Sequence, residues 1–523
     1  MFNHSIGTWI HRRRVKSADH PALIDRGASL TYSELATRVD QASHALSTLG
    51  ITKGERVAYI GENSHEFLEA MFGATQIGGI FVPLNTRLAP PEIAFQIEDT
   101  TPRVFICAED LLPTVLSALE GLTVDHLVIV GDKPTTPLAL DGTATHQWEE
   151  LITAAPREHP QERVELSDPA LILFTSGTTG NPKGAVLTHE NMVWNSFNVI
   201  TDYDYTSESV ALMISPMFHV AALGMGVLPV LLKGGTVILE QKFRPERALR
   251  LIEQYGVTSM SGVLTTYQML CEHENWESTD ISTLKQLTCG GSAVPDRVLD
   301  AYESRGLRFT MGYGMTETSP GVTSLPGTYS RSKQGSSGLP HFHTAIKVVD
   351  AQGNELPLGQ EGEILVSGPN VIEHYWNRDE ANRASFNYTD GAVWLHTGDV
   401  GYLDADGFLH VSDRIKDMII SGGENIYPAQ VEKEIAHLEG VASSAVFGVP
   451  DARWGEVPCA VIQLRPGFHL TEYDVVNFLA GKLAKYKIPK FVFFVADLPR
   501  TASGKVKKTD LKKNFGDQSQ IAS

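Results

Sequence analysis

Two periodicities alternate along the chain. Thr31 stands three residues before Glu34, a capping-box pattern, and 34–49 carries apolar residues at helical spacing. Residues 56–60 (Arg-Val-Ala-Tyr-Ile) predict a strand, 64–78 a helix and 80–82 the next strand. Short apolar runs recur at 104–107, 127–130 and 171–174. Strands alternating with helices predict an α/β fold, a parallel sheet with crossover helices. Residues 131–168 contain Pro134, Pro137, Pro156 and Pro160 and read as a loop between subdomains.

The texture changes after about Asp399. Residues 401–413 predict a hairpin turning at Asp406-Gly407. A short charged run, Asp413-Arg414-Ile415-Lys416-Asp417, then separates apolar segments and reads as a hinge. Beyond it, helices are expected at 429–438 and 472–483 and strands at 445–449 and 459–464, enough for one small α+β domain. The expected organisation is a large N-terminal α/β domain (1–412), a hinge (413–417) and a small mobile C-terminal α+β domain (418–523).

Composition narrows the function. The 523 residues carry a formal charge of −19, which argues against a general nucleic-acid coat. The charge is uneven: 482–513 holds ten Lys or Arg against two Asp or Glu, a local +8 that leaves −27 for the rest. Cys107, Cys271, Cys289 and Cys459 are scattered and form no CxxC, so a reducing cytoplasm is the expected setting. No apolar run approaches the length of a membrane span, and no signal-peptide core follows Arg12-Arg13-Arg14.

The segment richest in chemistry is Leu173-Phe174-Thr175-Ser176-Gly177-Thr178-Thr179-Gly180-Asn181-Pro182-Lys183-Gly184. A strand runs into a loop whose glycines let backbone N–H groups converge and whose hydroxyls add donors. Lys183 adds a point charge. That combination suits a polyphosphate. A Walker A loop is excluded, because Pro182 stands where its second glycine is needed.

With this loop the sequence resembles the adenylate-forming superfamily of acyl-CoA synthetases, luciferases and peptide-synthetase adenylation domains. Further family motifs follow in order over nearly the whole chain: Pro216-Met217-Phe218-His219-Val220, Gly290-Gly291-Ser292, Gly312-Tyr313-Gly314-Met315-Thr316-Glu317-Thr318, Thr397-Gly398-Asp399, Asp413-Arg414-Ile415-Lys416-Asp417, Ser421-Gly422-Gly423-Glu424-Asn425-Ile426-Tyr427-Pro428 and Pro499-Arg500-Thr501-Ala502-Ser503-Gly504-Lys505. The resemblance implies a two-step reaction. A carboxylate attacks the α-phosphate of ATP, giving acyl-AMP and diphosphate. Coenzyme A then displaces AMP to form the thioester.

The resemblance also assigns roles. Thr175, Ser176, Gly177, Thr178, Thr179, Gly180 and Lys183 would hold the β- and γ-phosphates. Thr316 would bond the α-phosphate and Glu317 would carry Mg2+. Tyr313 would stack on adenine, with Gly312 and Gly314 beside it and Gly290-Gly291-Ser292 on the other face. Asp399 and Arg414 would hold the ribose. Lys505 would stabilise the adenylation transition state, and the C-terminal domain would then rotate about Lys416. After rotation Gly422 and Gly423 would line the pantetheine tunnel, with Trp454, Lys487 and Lys490 as further contacts for coenzyme A. His219 would stand at the acyl-pocket entrance. Taken singly, each has a plainer reading: Glu317 as a helix N-terminal acid, Tyr313, His219 and Trp454 as core residues, Lys505 as one lysine of a basic tail.

The pocket segments 217–226, 261–265, 290–292 and 312–318 contain no Lys or Arg, and an uncompensated second carboxylate would be costly there. An apolar monocarboxylate is therefore expected. The pattern looks most like bacterial fatty-acyl-CoA and feruloyl-CoA synthetases. Gly7-Thr8-Trp9 and Arg12–Arg14 lean toward the hydroxycinnamate type, ferulate or 4-coumarate, with Ser261, Thr265, Thr266 and Tyr267 able to meet a phenol. The alternatives are a fatty-acyl-CoA ligase, a ligase loading a carrier protein, a luciferase-like oxygenase, and a non-catalytic acyl-adenylate binder. The sequence leaves the oligomeric state open, a homodimer included.

Overall fold

The computed structural model describes residues 3–133, 140–175, 182–290, 294–389, 391–415, 417–421, 424–451, 453–480, 482–501 and 505–516. They fall into two compact units. The first comprises Met1–Gln334, Gly338–Ala345 and Val366–Leu395; the second comprises Gly335–Ser337, Ile346–Leu365 and His396–Ser523.

The first unit is a large α/β body with two sheets. One has seven strands in the order Ala144–Gln147, His126–Val130, Val104–Ala108, Arg56–Ile60, Ile80–Leu84, Pro169–Thr175, Lys183–Thr188. All neighbours are parallel except the last pair, an antiparallel hairpin that opposes Thr175 to Lys183. The strand period of two divides the side chains between two cores. Val57, Tyr59, Val104 and Ile106 face one hydrophobic cluster; Ala58, Ile60, Phe105 and Cys107 face another. Both faces are buried, which is why these strands read as continuous apolar runs.

The second sheet has nine strands. Leu339–Pro340, Gly321–Leu325, Phe309–Gly314, Gln286–Gly290, Ser259–Gly262, Val210–Met213, Thr236–Leu239, Pro21–Asp25 and Ala28–Thr31 follow one another across it. The central pairs are parallel and the pairs toward both edges antiparallel. Helices Tyr32–Thr48 and His65–Gln76 share one core with residues of both sheets, including Val57, Phe81, Leu23 and Val237.

The expected helix starts are present. The Thr31 hydroxyl accepts the Glu34 N–H at 3.2 Å, and the Thr31 N–H donates to Glu34 Oε2 at 2.8 Å. Ser64 Oγ accepts the Phe67 N–H at 3.3 Å.

One expectation is corrected. The stretch 131–168 is not all loop: Ala144–Gln147 pairs parallel with His126–Val130, and Trp148–Ala154 is helical. Trp148 is buried and its indole N–H donates to Glu69 at 3.0 Å, so tertiary burial overrides the proline-rich context.

In the second unit, Val441–Asp451 and Gly455–Leu464 form a long antiparallel hairpin. Ile419–Ser421 and Phe491–Val495 pair with Gly455–Leu464, the latter in parallel. Helices Pro428–Ala436 and Glu472–Leu479 cover one apolar face and Lys508–Phe515 the other. The predicted turn at Asp406-Gly407 joins Ala392–Leu403 to Leu409–Arg414, with Gly407 at φ 82°. Among the described residues no helix is long and apolar enough to cross a membrane.

Candidate active site

In the first unit the antiparallel pair Pro169–Thr175 and Lys183–Thr188 presents both ends of the glycine- and hydroxyl-rich loop at one place. Ser176, Gly177, Thr178, Thr179 and Gly180 lie outside the described residues, as do Gly291, Ser292, Lys416, Gly422 and Gly423. Thr175 Oγ1 donates to the Lys183 carbonyl at 3.4 Å, closing the loop's base. Lys183 Nζ stands 5.1 Å from the centroid of the Tyr375 ring, a cation–π contact.

Glu317 sits on a short 3-10 turn, Thr316–Thr318, directly after the strand Phe309–Gly314. Its Oε1 accepts the Tyr375 hydroxyl at 2.9 Å. Lys183 and Glu317 thus contact one aromatic side chain, the lysine at its ring face and the glutamate at its hydroxyl. Thr316, Tyr313 and Glu317 are all half-buried, and Gly314 is exposed.

Two glycines here are demanded by a neighbouring strand. A Cβ on Gly314 would lie 1.7 Å from the Pro320 carbonyl oxygen, and one on Gly312 would lie 2.7 Å from that of Thr323. Any side chain would force apart the pairing of Phe309–Gly314 with Gly321–Leu325. At Gly290 the added Cβ would meet nothing within 4 Å among the described residues.

The turn is held by buried asparagines. Asn370 Nδ2 donates to the carbonyls of Thr318 at 3.0 Å and Gly321 at 2.7 Å. Asn195 Oδ1 accepts the Gly321 N–H at 3.1 Å, and its Nδ2 donates to Gly224 O at 2.8 Å. Asn191 Nδ2 reaches the carbonyls of Pro369 at 2.9 Å and Val371 at 3.0 Å. Gly224 belongs to a π-helical turn, Ala222–Val227, a widened helix frequent at functional sites. His219 is half-buried beside Phe218 in a turn anchored by Asn63, whose Oδ1 accepts the Met217 N–H at 2.8 Å.

Of the residues expected to meet a phenol, Ser261, Thr265 and Thr266 are half-buried. Tyr267 is corrected. Its ring is wholly buried, and its hydroxyl is spent on the Met260 and Thr288 carbonyls at 3.1 and 2.8 Å. Val322 and Leu325 are also wholly buried.

The second unit holds the remaining residues. Asp399 and Arg414 lie opposite each other across a strand pair. Asp413 Oδ2 accepts the Ala429 N–H at 2.8 Å, at the start of helix Pro428–Ala436. Burial raises the Asp413 pKa, against the pull of nearby Lys508. Lys508 in turn pairs with Glu432 at 2.8 Å; burial works against its charge, but Glu432 and Asp413 outweigh it and raise its pKa. Lys505 is exposed, and its carbonyl accepts the Thr501 N–H at 2.7 Å. Trp454 is exposed and lies under Arg453 at 4.7 Å. Lys487 Nζ donates to Gln430 Oε1 at 2.8 Å. Lys490 pairs with Asp451 at 2.7 Å, and that bond, with the N–H groups of Arg453 and Trp454, brings the Asp451 pKa down to about 2.

This arrangement has counterparts. Residues 10–376 match the family described as AMP-binding enzyme, and 430–505 match its C-terminal domain. The chain belongs to the AMP-binding, adenylate-forming superfamily. It is 43% identical over 516 residues to a feruloyl-CoA synthase of an Amycolatopsis species, covering 99% of this chain and 100% of that one. The long-chain-fatty-acid–CoA ligase FadD13 of Mycobacterium tuberculosis is 32% identical, with 98% of each chain covered. Among solved structures, the o-succinylbenzoate coenzyme A synthetase MenE of Bacillus subtilis, in complex with ATP and magnesium ion, superimposes with a TM-score of 0.85 at 31% identity, covering 97% of this chain and 99% of that one. The protein is an AMP-forming acyl-CoA ligase.

Two features of the ligase's site escaped the sequence reading. Tyr375 contacts both Lys183 and Glu317, and its polar surroundings, Glu373-His374-Tyr375-Trp376-Asn377-Arg378, show no periodicity that singles it out. The asparagines left a trace: 191, 195 and 198 recur at helical spacing on His189–Tyr203, a polar face on a helix with a buried side. Buried amides at that spacing signal a scaffold for irregular backbone.

Proposed function

We propose that this ligase activates a hydroxycinnamate-type monocarboxylate, ferulate or 4-coumarate, and transfers it to coenzyme A. The observation that carries the reading is the 43% identity, end to end, with a feruloyl-CoA synthase. The half-buried run 261–266 supports it, offering Ser261, Thr265 and Thr266 beside apolar Val263 and Leu264 without any charge. A fatty acid is the second reading, supported by the 32% identity with FadD13.

In this reading Thr175, Lys183 and the loop 176–180 hold the β- and γ-phosphates of ATP. Lys183 contributes a fixed positive charge in a site where two anions must meet. Thr316 bonds the α-phosphate; Tyr313 and the glycines 290, 291, 312 and 314, with Ser292, enclose adenine. Asp399 and Arg414 take the ribose hydroxyls.

Glu317 fits the magnesium role: a half-buried carboxylate with Oε1 held by Tyr375 and Oε2 making no hydrogen bond among the described residues. A single oxygen-donor carboxylate suits a hard cation that keeps most of its waters. When bound, Mg2+ neutralises phosphate charge.

His219 borders the acyl pocket and orients the incoming carboxylate. Lys505 is delivered by the C-terminal domain to the α-phosphate for adenylation. The domain, 418–523, then turns about Lys416 within the 413–417 segment. The turn removes Lys505 and brings Gly422, Gly423 and Trp454 to the pantetheine arm, with Lys487 and Lys490 near the phosphates of coenzyme A. Lys490 must exchange Asp451 for a phosphate to do so.

Release of AMP is measured with acetate, octanoate, palmitate, benzoate, 4-coumarate and ferulate, with and without coenzyme A. The reading requires ferulate or 4-coumarate to give the highest kcat/KM and turnover to need free coenzyme A. Preference for palmitate would move the assignment to fatty acids. Turnover without coenzyme A but with oxygen consumption would mark an oxygenase. Diphosphate exchange into ATP with no acid in the panel would leave the acid reading without support.

A further inference from the structure

Residues 372–376 are threaded between the two halves of the ATP-facing site. The Ile372 N–H donates to the Glu317 carbonyl at 2.9 Å, and the Trp376 N–H donates to that of Gly184 at 2.7 Å. Tyr375 forms an antiparallel bridge with Ala185. Asn382 fixes Tyr375 from the other side: its Oδ1 accepts the Tyr375 N–H at 2.7 Å, and its Nδ2 donates to the Tyr375 carbonyl at 3.2 Å. The Tyr375 backbone is therefore held between the strand carrying Lys183 and the turn carrying Glu317.

The residue is buried, and its side chain continues the link. The hydroxyl donates to Glu317 Oε1 at 2.9 Å while the ring face lies under Lys183 Nζ at 5.1 Å. The hydroxyl occupies one carboxylate oxygen and thereby fixes the direction of the other. The ring holds an ammonium that would otherwise approach the same carboxylate and neutralise it. A flexible lysine and a glutamate that contact the same aromatic side chain can form an ion pair, and such a pair would remove both charges from the nucleotide.

We propose that Tyr375 is a positioning residue that keeps Lys183 and Glu317 apart, leaving the carboxylate for a divalent cation and the ammonium for phosphate. The proposal rests on the reading of Glu317 and Lys183 given above. A hydrogen bond to a charged group and a cation–π contact act through different parts of Tyr375, so they separate by substitution.

The test uses the full-length chain and equilibrium binding of a fluorescent ATP analogue, without acid or coenzyme A, in EDTA and across a magnesium titration. Tyr375→Phe keeps the ring and removes the hydroxyl. It is expected to bind the nucleotide in EDTA as the wild type does, and to need about tenfold more Mg2+ for half-saturation. Tyr375→Leu removes both contacts and is expected to weaken binding in EDTA as well. Glu317→Gln is the reference. Tyr375→Phe combined with Glu317→Gln should be no worse than Glu317→Gln alone, because the hydroxyl acts through that carboxylate. Wild-type magnesium dependence in Tyr375→Phe, or additivity in the double variant, would overturn the proposal. Wild-type magnesium dependence in Glu317→Gln itself would instead overturn the assignment of Glu317. Should Tyr375→Leu fail to fold, Tyr375→Phe and the double variant still decide the matter.

Discussion

Arg414 Nε stands 2.9 Å from Asp399 Oδ1, and the two residues oppose each other in the pairing of Ala392–Leu403 with Leu409–Arg414. The Asp399 side chain is almost wholly buried, whereas that of Arg414 is 39% exposed. In the reading proposed above, this buried acid and half-exposed guanidinium take the ribose hydroxyls. Asp399→Asn keeps the shape and removes the charge. Diphosphate exchange should show KM for ATP raised about tenfold with kcat little changed, the mark of lost ground-state binding. Urea unfolding should register a loss of only about 1 kcal/mol, since solvent screens Arg414. An unchanged KM would separate this pair from the nucleotide.

Lys505→Ala separates the half-reactions. Adenylation, followed by diphosphate exchange, should fall about a hundred- to a thousandfold. Thioester formation from supplied acyl-AMP and coenzyme A should fall by less than about threefold, because in the proposed reading the domain turn has withdrawn Lys505 before that step. Equal losses would assign Lys505 to the fold. Lys416→Pro should give the opposite pattern, slowing thioester formation more than exchange.

Asn370→Ala removes the amide donor that the carbonyls of Thr318 and Gly321 share in a buried setting. Each such group costs about 1–3 kcal/mol. Urea unfolding should therefore show a loss of about 3 kcal/mol, and magnesium-dependent nucleotide binding should weaken because the turn carrying Glu317 loses its support. Normal stability would mean that water replaces the amide.

His189 is fully buried and its Nδ1 accepts the Ile6 N–H at 3.2 Å. Burial lowers its pKa to about 3. The folded chain thus keeps His189 neutral while the unfolded chain binds a proton below about pH 6.5. The stability it supports is complete above that pH and is lost as pH falls toward the folded-state value. From pH 7 to pH 5 the loss is about 2 kcal/mol. His189→Asn offers an oxygen to the same N–H and does not titrate. Its unfolding free energy should fall with acid less steeply by that amount, whatever its stability at pH 7. Parallel curves for the two proteins would refute the assignment.

Much of this was legible before any coordinates. Helix starts at Thr31 and Ser64 depend on contacts three residues away, which a sequence displays directly. The phosphate-loop strands are announced by apolar runs. What stayed hidden depends on distance along the chain. The helix that starts at Trp148 is tied down by its buried indole, whose N–H donates to Glu69, 79 residues away. Tyr267 resembles a phenol-binding residue until its hydroxyl is seen closing on Met260 and Thr288. Tyr375 meets Glu317 across 58 positions, and a motif scan weighs each segment alone.

The asparagine scaffold bears on how the chain is made. Asn195 reaches Gly321 across 126 residues, and Asn191 reaches Pro369 across 178. The turn bearing Glu317 is translated long before residue 370, yet Asn370 provides two of its bonds. On a ribosome adding residues from the N-terminus, the sheets up to 325 can assemble while this turn still lacks its anchors. Anchoring of the turn that bears Glu317 is then one of the last steps in the folding of the large unit during synthesis. A nascent chain halted short of residue 370 would lack the two amide bonds that hold the turn bearing Glu317.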